Sequence, residues 1–310
     1  MRKPLPIVVS TDNDHTMVGF CDGAVPGWRD ALPLIAEATG LSIAEVGCRI
    51  GTVFAIEKTH DFPWALPLAF ATNWQGSIAE FVEKIEEPFW ALQDHYREKY
   101  VKPYPGVIET LKELKRRGVL VFCVSDAPYF MALARLVDSG ISEYIQGAYA
   151  LDVTRPSASA VPSEEWLRYG DERIVRLENK YANHGLKFAR KNPPDFSKPD
   201  PRAIQMAMSD FGITDPSLVI HVGDSVEKDI GLVSTAGLGG GLYTPWHAMG
   251  NLPAEYVEWL TEVMKADPKK CPEAVTKITH PMPEHHGQFS DILSMLGRGA
   301  VEEMPDSYQA

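Results

Sequence analysis

The stretch Pro6-Ile7-Val8-Val9-Ser10-Thr11-Asp12-Asn13-Asp14-His15-Thr16 decides the fold of this chain. Residues 7–9 are β-branched and too few for a helix, so they predict a buried strand. Asp12 and Asp14 follow where this strand ends, the position at which ligands bind in open α/β sheets. Two carboxylates so close together repel each other unless a cation or a shared proton compensates. The stretch therefore indicates a metal site, a catalytic pair or both. The alternative is a turn in which the two side chains bond their own backbone.

The composition of the chain is that of a soluble globular protein. Its 310 residues are 45% hydrophobic and 23% charged, enough for one large domain or two smaller ones. The formal net charge of −12 argues against a general binder of nucleic acid or of an anionic membrane, because both need surplus Lys and Arg. A local basic pocket for a small anion remains compatible with this charge.

The four cysteines contain no CxxC pair, which excludes the usual spacing of a zinc site and favours reduced thiols. The apolar run near the N-terminus ends within a few residues, at Ser10 and Asp12, too early for a secretory signal or a membrane span. We therefore expect a cytoplasmic protein, and nothing in the sequence predicts its oligomeric state.

Residues 25–100 have the hydrophobic period of helices and contain no convincing central strand, which predicts a separate helical unit. The predicted elements are a helix from Pro26 to Gly40, a helix with a capping box at Ser42 and Glu45, an irregular connector over residues 61–74, and a helix from Ser77 to Tyr100.

From Pro105 onward, strands and helices alternate, which predicts a doubly wound parallel sheet. The predicted strands are residues 119–124, 145–151, 218–222 and 238–243, and the predicted helices are residues 107–117, 129–139, 200–211, 226–236 and 290–296. Residues 152–197 and 244–286 interrupt the alternation. Since compact domains rarely carry long structureless loops, we expect each to be partly helical decoration or a flap.

Polar groups follow each predicted strand. Ser125-Asp126 come after the second strand, Gly223-Asp224-Ser225 and Asp229 come after a later one, and Lys198 stands just before a helix. The ends of parallel strands share one edge of a sheet, so these side chains can converge with Asp12 and Asp14. Several carboxylates beside one hydroxyl and one lysine suit a hard cation such as Mg²⁺.

Four ordered motifs resemble those of the haloacid dehalogenase-like hydrolase superfamily. They are Asp12-Asn13-Asp14-His15-Thr16, Ser125, Lys198-Pro199-Asp200-Pro201 and Gly223-Asp224-Ser225-Val226-Glu227-Lys228-Asp229. The helical segment resembles the α-helical cap of the phosphoglycolate phosphatase and β-phosphoglucomutase branch. The resemblance implies an α/β fold with a Rossmann-like core over residues 1–22 and 103–310, and a helical cap over residues 23–102.

The resemblance also implies a division of labour. Asp12 would be the nucleophile that takes the phosphoryl group, and Asp14 would protonate the leaving oxygen and then deprotonate the attacking water. Asp12, Asp224 and the backbone carbonyl of Asp14 would hold Mg²⁺, and Asp229 would support them directly or through water.

Phosphate binding would fall to Ser125, to the neighbouring backbone at Asp126 and to Lys198. Candidate contacts to the rest of the substrate are His15, which replaces the glycine common after the second Asp, and the aromatic residues Trp64 and Phe70. The alternative for the two aromatic residues is the core of the cap.

The acid at position 14 favours a phosphatase over a dehalogenase, because halide leaves without a proton whereas an alkoxide needs one. The expected substrate is a small phosphorylated metabolite. Alternatives are a phosphotransferase or phosphomutase, a phosphonate hydrolase using a cap lysine such as Lys58, and a catalytically silent scaffold that binds a protein partner.

Overall fold

A computed structural model describes residues 7–57, 61–153, 156, 163–182, 184–244 and 287–296 of the chain. Its centre is a six-stranded sheet in which all neighbouring strands are parallel, in the order β4-β3-β2-β1-β5-β6. The strands are β1 (Val8–Thr11), β2 (Leu120–Pro128), β3 (Gly147–Leu151), β4 (Phe188–Asn192), β5 (Val219–Gly223) and β6 (Gly240–Tyr243). The prediction of a doubly wound α/β fold is confirmed.

The helices lie between and around these strands. They are α1 (Phe20–Thr39), α2 (Ile43–Glu57), α3 (Ala65–Phe70), α4 (Ile78–Phe81), α5 (Glu87–Tyr100), α6 (Val107–Arg116), α7 (Tyr129–Asp138), α8 (Glu164–Lys180), α9 (Arg202–Asp210), α10 (Gly231–Ala236) and α11 (Ile292–Met295). A turn of π-helix, Val82–Glu86, joins α4 to α5, and another, Val226–Ile230, precedes α10.

Both faces of the sheet are buried, as its nearly continuous apolar strands predict. Side chains alternate along β1, so Val9 packs in a core with residues of α6, α7 and α11, whereas Val8 packs with residues of α9 on the opposite face. In the strand order of the sheet, β1 lies between β2 and β5, so its carboxyl end lies between the carboxyl ends of those two strands.

The helical segment has a hydrophobic core of its own, rich in aromatic residues. Two predictions here were wrong in detail. Helix α1 begins at Phe20 and contains Pro26, because burial of the surrounding residues outweighs the usual preference of proline for a helix start. The predicted connector contains helix α3, most of which is buried. The capping box of Ser42 and Glu45 is confirmed. The division into core and cap stays a prediction.

Residues 152–197 are more than a decoration of the sheet. They supply its edge strand β4, which the sequence analysis missed because two of its five residues, Arg190 and Lys191, are charged and exposed. They also supply α8, whose Trp166 lies in the core of the helical segment and whose Arg173 donates to Glu86. Helix α8 therefore packs against the helical segment.

Of the helices in the described part of the chain, none alone has the length and apolarity to cross a membrane. Helices α1 and α2 meet that test only as a pair, and they are bent by 108° relative to each other.

Candidate active site

The candidate site lies at the carboxyl ends of β1, β2 and β5. Thr11 pairs with Cys123 of β2 on one side and with Val222 of β5 on the other. The next residues along these strands, Asp12 above all, therefore leave the sheet at the same edge, as the sequence analysis expected.

Lys198 connects two of the candidate carboxylates. Its Nζ lies 2.8 Å from Oδ2 of Asp12 and 2.6 Å from Oδ1 of Asp229, and the residue is 4% exposed. Burial disfavours the charged ammonium, but the carboxylates of Asp12 and Asp229 outweigh it and raise the pKa of Lys198 well above its ordinary value. The lysine is therefore a fixed positive charge between these two carboxylates.

Asp126 helps to position this lysine through a hydrogen bond to its backbone. Its Oδ1 accepts a hydrogen bond of 2.9 Å from the backbone N–H of Lys198, and its other oxygen lies 2.9 Å from Nζ of Lys228. The carboxylate of Asp126 is therefore engaged in positioning Lys198, and phosphate binding at this residue can involve its backbone only.

Asp12, Asp224 and Asp229 form the acidic cluster of the site. One carboxylate oxygen from each lies within 4.8 Å of the others. Burial raises the pKa of Asp224 to about 7, and the neighbouring charge of Asp229 adds to the rise. Burial likewise raises the pKa of Asp12, against the effect of Lys198. Oxygen donors at this spacing fit a hard divalent cation, which would also relieve the repulsion among them.

Asp229 has the most complete set of partners in the cluster. Its Oδ1 meets Lys198 and, at 3.1 Å, Nε2 of His221, while its Oδ2 accepts from the backbone N–H of Ser225 at 3.0 Å. Burial alone would raise the pKa of Asp229, but Lys198 and His221 hold it well below its ordinary value. Asp229 is thus an anchored anion whose oxygens are already satisfied.

Gly223 makes room for this arrangement. A Cβ at position 223 would lie 2.1 Å from Cγ of Asp229, a distance that no real side chain tolerates. The glycine that ends β5 is therefore required by the close approach of Asp229 to the strand.

His221 was missed by the sequence analysis. It is fully buried in β5, and its Nδ1 lies 3.0 Å from Oγ of Ser10 in β1. A signal was present, since a histidine within the otherwise apolar run Val219-Ile220-His221-Val222 needs a buried polar partner.

Asp14 stands apart from the acidic cluster. Its Oδ2 accepts a bond of 2.5 Å from Nη1 of Arg135, a residue of α7 that is 2% exposed. The other terminal nitrogen of Arg135 donates to Asp61, which precedes α3 in the helical segment. Sequence reasoning missed both Arg135 and Asp61. The signal for Arg135 was its position as the one cation in the apolar sequence Phe130-Met131-Ala132-Leu133-Ala134-Arg135-Leu136.

Ser125 is buried near the carboxyl end of β2, the neighbour of β1. Its Oγ accepts a hydrogen bond of 3.1 Å from the backbone N–H of Ala127. Since an accepting hydroxyl still carries its own hydrogen, Ser125 can donate to a further oxygen.

His15 has a positive φ of 59°, in the left-handed region that glycine enters without strain. Its Nε2 lies 3.5 Å from Sγ of Cys21, and its ring contacts Phe20. Burial lowers the pKa of His15. The side chain therefore sits beside the start of α1, next to Asp14 along the chain.

Trp64 and Phe70 do not line the site. They are 0% and 2% exposed within the core of the helical segment, and the ring of Trp64 lies against Gly170 of α8. As interior residues they offer no surface to a substrate, and their role as cap core is the interpretation that the packing supports. Lys58 lies outside the described residues.

The family model of haloacid dehalogenase-like hydrolases matches residues 8–167 of this chain. A search of curated proteins finds no significant match.

Solved structures with a similar fold include a 2-haloacid dehalogenase from Pseudomonas syringae pv. Tomato, at 18% identity and a TM-score of 0.53, covering 94% of this chain and 98% of that one. A HAD phosphatase from Thermococcus onnurineus is 15% identical with a TM-score of 0.51, covering 79% of this chain and 88% of that one. A HAD-superfamily hydrolase from Geobacter sulfurreducens is 16% identical with a TM-score of 0.47, covering 94% and 97%. At such identities, the two likenesses with TM-scores above 0.5 show the fold alone.

Proposed function

Since the chain belongs to the haloacid dehalogenase-like hydrolases, we propose that it is a Mg²⁺-dependent phosphatase of a small phosphorylated metabolite. Asp12 is the proposed nucleophile and Asp14 the proposed proton carrier. The reaction transfers the phosphoryl group to Asp12 and then to water.

The separation of Asp14 from the acidic cluster is the observation that carries this proposal. Asp12 belongs to the cluster with Asp224 and Asp229, whereas the carboxylate of Asp14 is turned to Arg135. A carboxylate held away from a cation site stays available for proton transfer. A phosphate ester needs that proton when its alkoxide leaves, whereas a halide does not, so the arrangement favours a phosphatase over a dehalogenase.

The surroundings of Asp12 support its role as the proposed nucleophile. It is 9% exposed at the end of β1, and the ammonium of Lys198 contacts its Oδ2. An anionic phosphate approaches an anionic carboxylate only if cations offset their repulsion, which is roughly 4 kcal/mol for unit charges about 4 Å apart at moderate dielectric. Lys198 supplies part of that compensation, and the hydroxyl of Ser125 can donate to a phosphoryl oxygen.

Asp12 and Asp224, together with the backbone carbonyl of Asp14, would hold the Mg²⁺. Asp229 would support them without ligating the cation directly, since its oxygens already bond Lys198, His221 and Ser225. The bound cation would supply charge neutralisation for the phosphoryl oxygens and the nucleophile.

Assay of purified protein against a panel of phosphate esters, with Mg²⁺ and with EDTA, tests this proposal. We expect metal-dependent release of phosphate that Asp12→Asn abolishes, with the exposed Asp215→Asn as the matched control. Metal-independent turnover, or full activity of Asp12→Asn, contradicts the proposal. Transfer of phosphate to an added alcohol in preference to water would instead indicate the phosphotransferase, and absence of any turnover would indicate the silent scaffold.

The proposed substrate is a free small molecule, and the proposed compartment is the cytoplasm. The free thiols of Cys21, Cys48 and Cys123 are compatible with a reducing environment.

A further inference from the structure

Helix α8 bridges the sheet-bearing part of the protein and the helical segment. It lies in the chain between β3 and β4, two strands of the central sheet. Its Ile174 packs with Phe130 and Met131 of α7, the helix that joins β2 to β3. Its Trp166 lies in the hydrophobic core of the helical segment. Helix α8 is therefore packed against both parts.

A buried ion pair joins α8 to the helical segment. Glu86, the last residue of the π-helical turn before α5, is 2% exposed, and Arg173 of α8 is 4% exposed. One carboxylate oxygen of Glu86 accepts from Nη1 of Arg173, and the other accepts from the hydroxyl of Tyr169. Because breaking a buried ion pair leaves an uncompensated charge, this contact holds α8 firmly to the helical segment.

Arg173 also holds residues 61–64, the stretch Asp61-Phe62-Pro63-Trp64 that leads into α3. Its Nη2 donates to the backbone carbonyl of Pro63, and its guanidinium carbon lies 5.9 Å from the ring centre of Trp64. Gly170, one turn earlier in α8, lies so close to this indole that a Cβ there would approach Cη2 to 2.0 Å. The stretch is thus fixed to α8 by a hydrogen bond and by close packing.

The same stretch leads to the proposed proton carrier. Asp61 pairs with Arg135 of α7, and Arg135 pairs with Asp14. The guanidinium carbon of Arg135 also lies 4.2 Å from the ring centre of Phe20. A continuous set of contacts therefore runs from Arg173 through residues 61–64 and Arg135 to Asp14.

We propose that Arg173 is a positioning residue for the reaction, which keeps Asp14 in place by holding residues 61–64 and, through Asp61, the guanidinium of Arg135. The inference deepens the proposed function and rests on it. An acid must lie within hydrogen-bond distance of the leaving oxygen, so a small displacement of Asp14 lowers its contribution to the rate. The inference gives the insertion between β3 and β4 a role in turnover.

Two phosphate esters distinguish a positioning role from a purely structural one. The probes are 4-nitrophenyl phosphate, whose phenolate leaves readily, and the alkyl phosphate that is cleaved fastest in the panel, whose alkoxide needs a proton. We expect Arg173→Met to lower kcat/KM for the alkyl ester by about tenfold relative to kcat/KM for 4-nitrophenyl phosphate. A loss of folded protein alone would lower both values equally.

Arg190→Met is the matched control, because Arg190 lies in the same insertion and pairs with Asp210 at the surface. It should leave the ratio of the two kcat/KM values unchanged. In an Asp14→Asn background, Arg173→Met should not change this ratio further, because the acid through which it acts is absent.

Circular dichroism and melting temperature verify that the variants are folded. If Arg173→Met does not fold, Arg173→Lys takes its place. The lysine retains the charge beside Glu86 but has one terminal nitrogen for two acceptors, so we expect a smaller fall in the same ratio.

The inference is overturned if the folded Arg173 variant keeps the ratio of the parent protein, if Arg190→Met lowers the ratio as much, or if the effect persists in the Asp14→Asn background. If no phosphate ester is cleaved at all, the proposed function fails, but hydrogen exchange of backbone amides still tests the link from α8 to Asp14. Faster exchange at residues 61–66 and 13–18 in the Arg173 variant, and not in Arg190→Met, would support this link. Unchanged exchange at residues 13–18 would refute it.

Discussion

Arg135 reaches from helix α7 to Asp14, with Nη1 2.5 Å from Oδ2, and at the same time donates to Asp61 of the helical segment. One buried guanidinium therefore fixes the proposed proton carrier and ties it to the segment that would close over the substrate. Because Arg135 pairs with both carboxylates, the position of Asp14 is coupled to that of Asp61.

Replacing Arg135 should impair both stability and activity. Arg135→Met removes a buried guanidinium from its ion pairs with the half-buried carboxylates of Asp14 and Asp61, and breaking such a buried pair typically costs about 3–5 kcal/mol of unfolding free energy. We also expect kcat to fall by a larger factor than KM changes. Asp14 loses the partner that orients it, whereas Ser125 and Lys198, the proposed phosphate-binding residues, are unchanged. Urea unfolding and steady-state kinetics measure the two effects.

Arg116→Met is the matched control for that variant. The side chain of Arg116 is 72% exposed and pairs with Glu113 on the surface, where solvent screens the pair, so its loss should change the stability far less than the loss of Arg135. Equal effects of Arg135→Met and Arg116→Met would contradict a positioning role for Arg135.

Loss of the proton carrier should depend on the leaving group. Asp14→Asn should lower kcat/KM for an alkyl phosphate by roughly 10²–10⁴, because the alkoxide then leaves without a proton. The loss should be much smaller for 4-nitrophenyl phosphate, whose phenolate leaves readily. The measurement is the ratio of kcat/KM for the two esters, with Asp215→Asn as control. An equal loss on both esters would argue against Asp14 as the acid.

The sequence was sufficient to predict β1, β2 and β5, because each contains a short apolar run that is followed by polar residues. It also predicted that Lys198 and Asp224 would meet Asp12 at one edge of the sheet. The edge strand β4 was not predicted, because it contains the exposed residues Arg190 and Lys191 and lacks the apolar pattern of the neighbouring strands.

The partners of the predicted residues were harder to foresee. Arg135 lies 121 positions from Asp14, and His221 meets Ser10 across two strands 211 positions apart. Such pairings depend on helix packing and strand order, which hydrophobic periodicity does not encode. Trp64 shows the converse, because an aromatic residue in a connector can equally line a pocket or fill a core, and only packing distinguishes the two.

His221 should influence metal affinity although it would not ligate the cation. It bonds Asp229 on one side and Ser10 on the other, so His221→Gln should loosen the carboxylate that supports the proposed site. Replacement of such outer partners typically weakens metal binding by about 10–100-fold. Activity measured against Mg²⁺ concentration should show half-saturation shifted upward by this factor. His95→Gln, an exposed histidine on α5, is the control, and an unshifted curve for His221→Gln would rule out the supporting role.

The stability of the metal-free protein should fall as pH rises between about pH 4 and pH 7. Burial, reinforced by the charge of Asp229, raises the pKa of Asp224 from 3.8 to about 7. In this interval the folded protein therefore keeps a proton that the unfolded chain releases, so raising the pH favours unfolding. Thermal melts in EDTA should show a decline in melting temperature of several degrees, which Asp224→Asn reduces and Asp215→Asn does not.

Adding Mg²⁺ should restore stability most at the upper end of the interval, because binding requires the ionised carboxylate. If the melting temperature of the parent protein depends on pH in the same way as that of Asp224→Asn, the raised pKa of Asp224 is not the cause of the pH dependence.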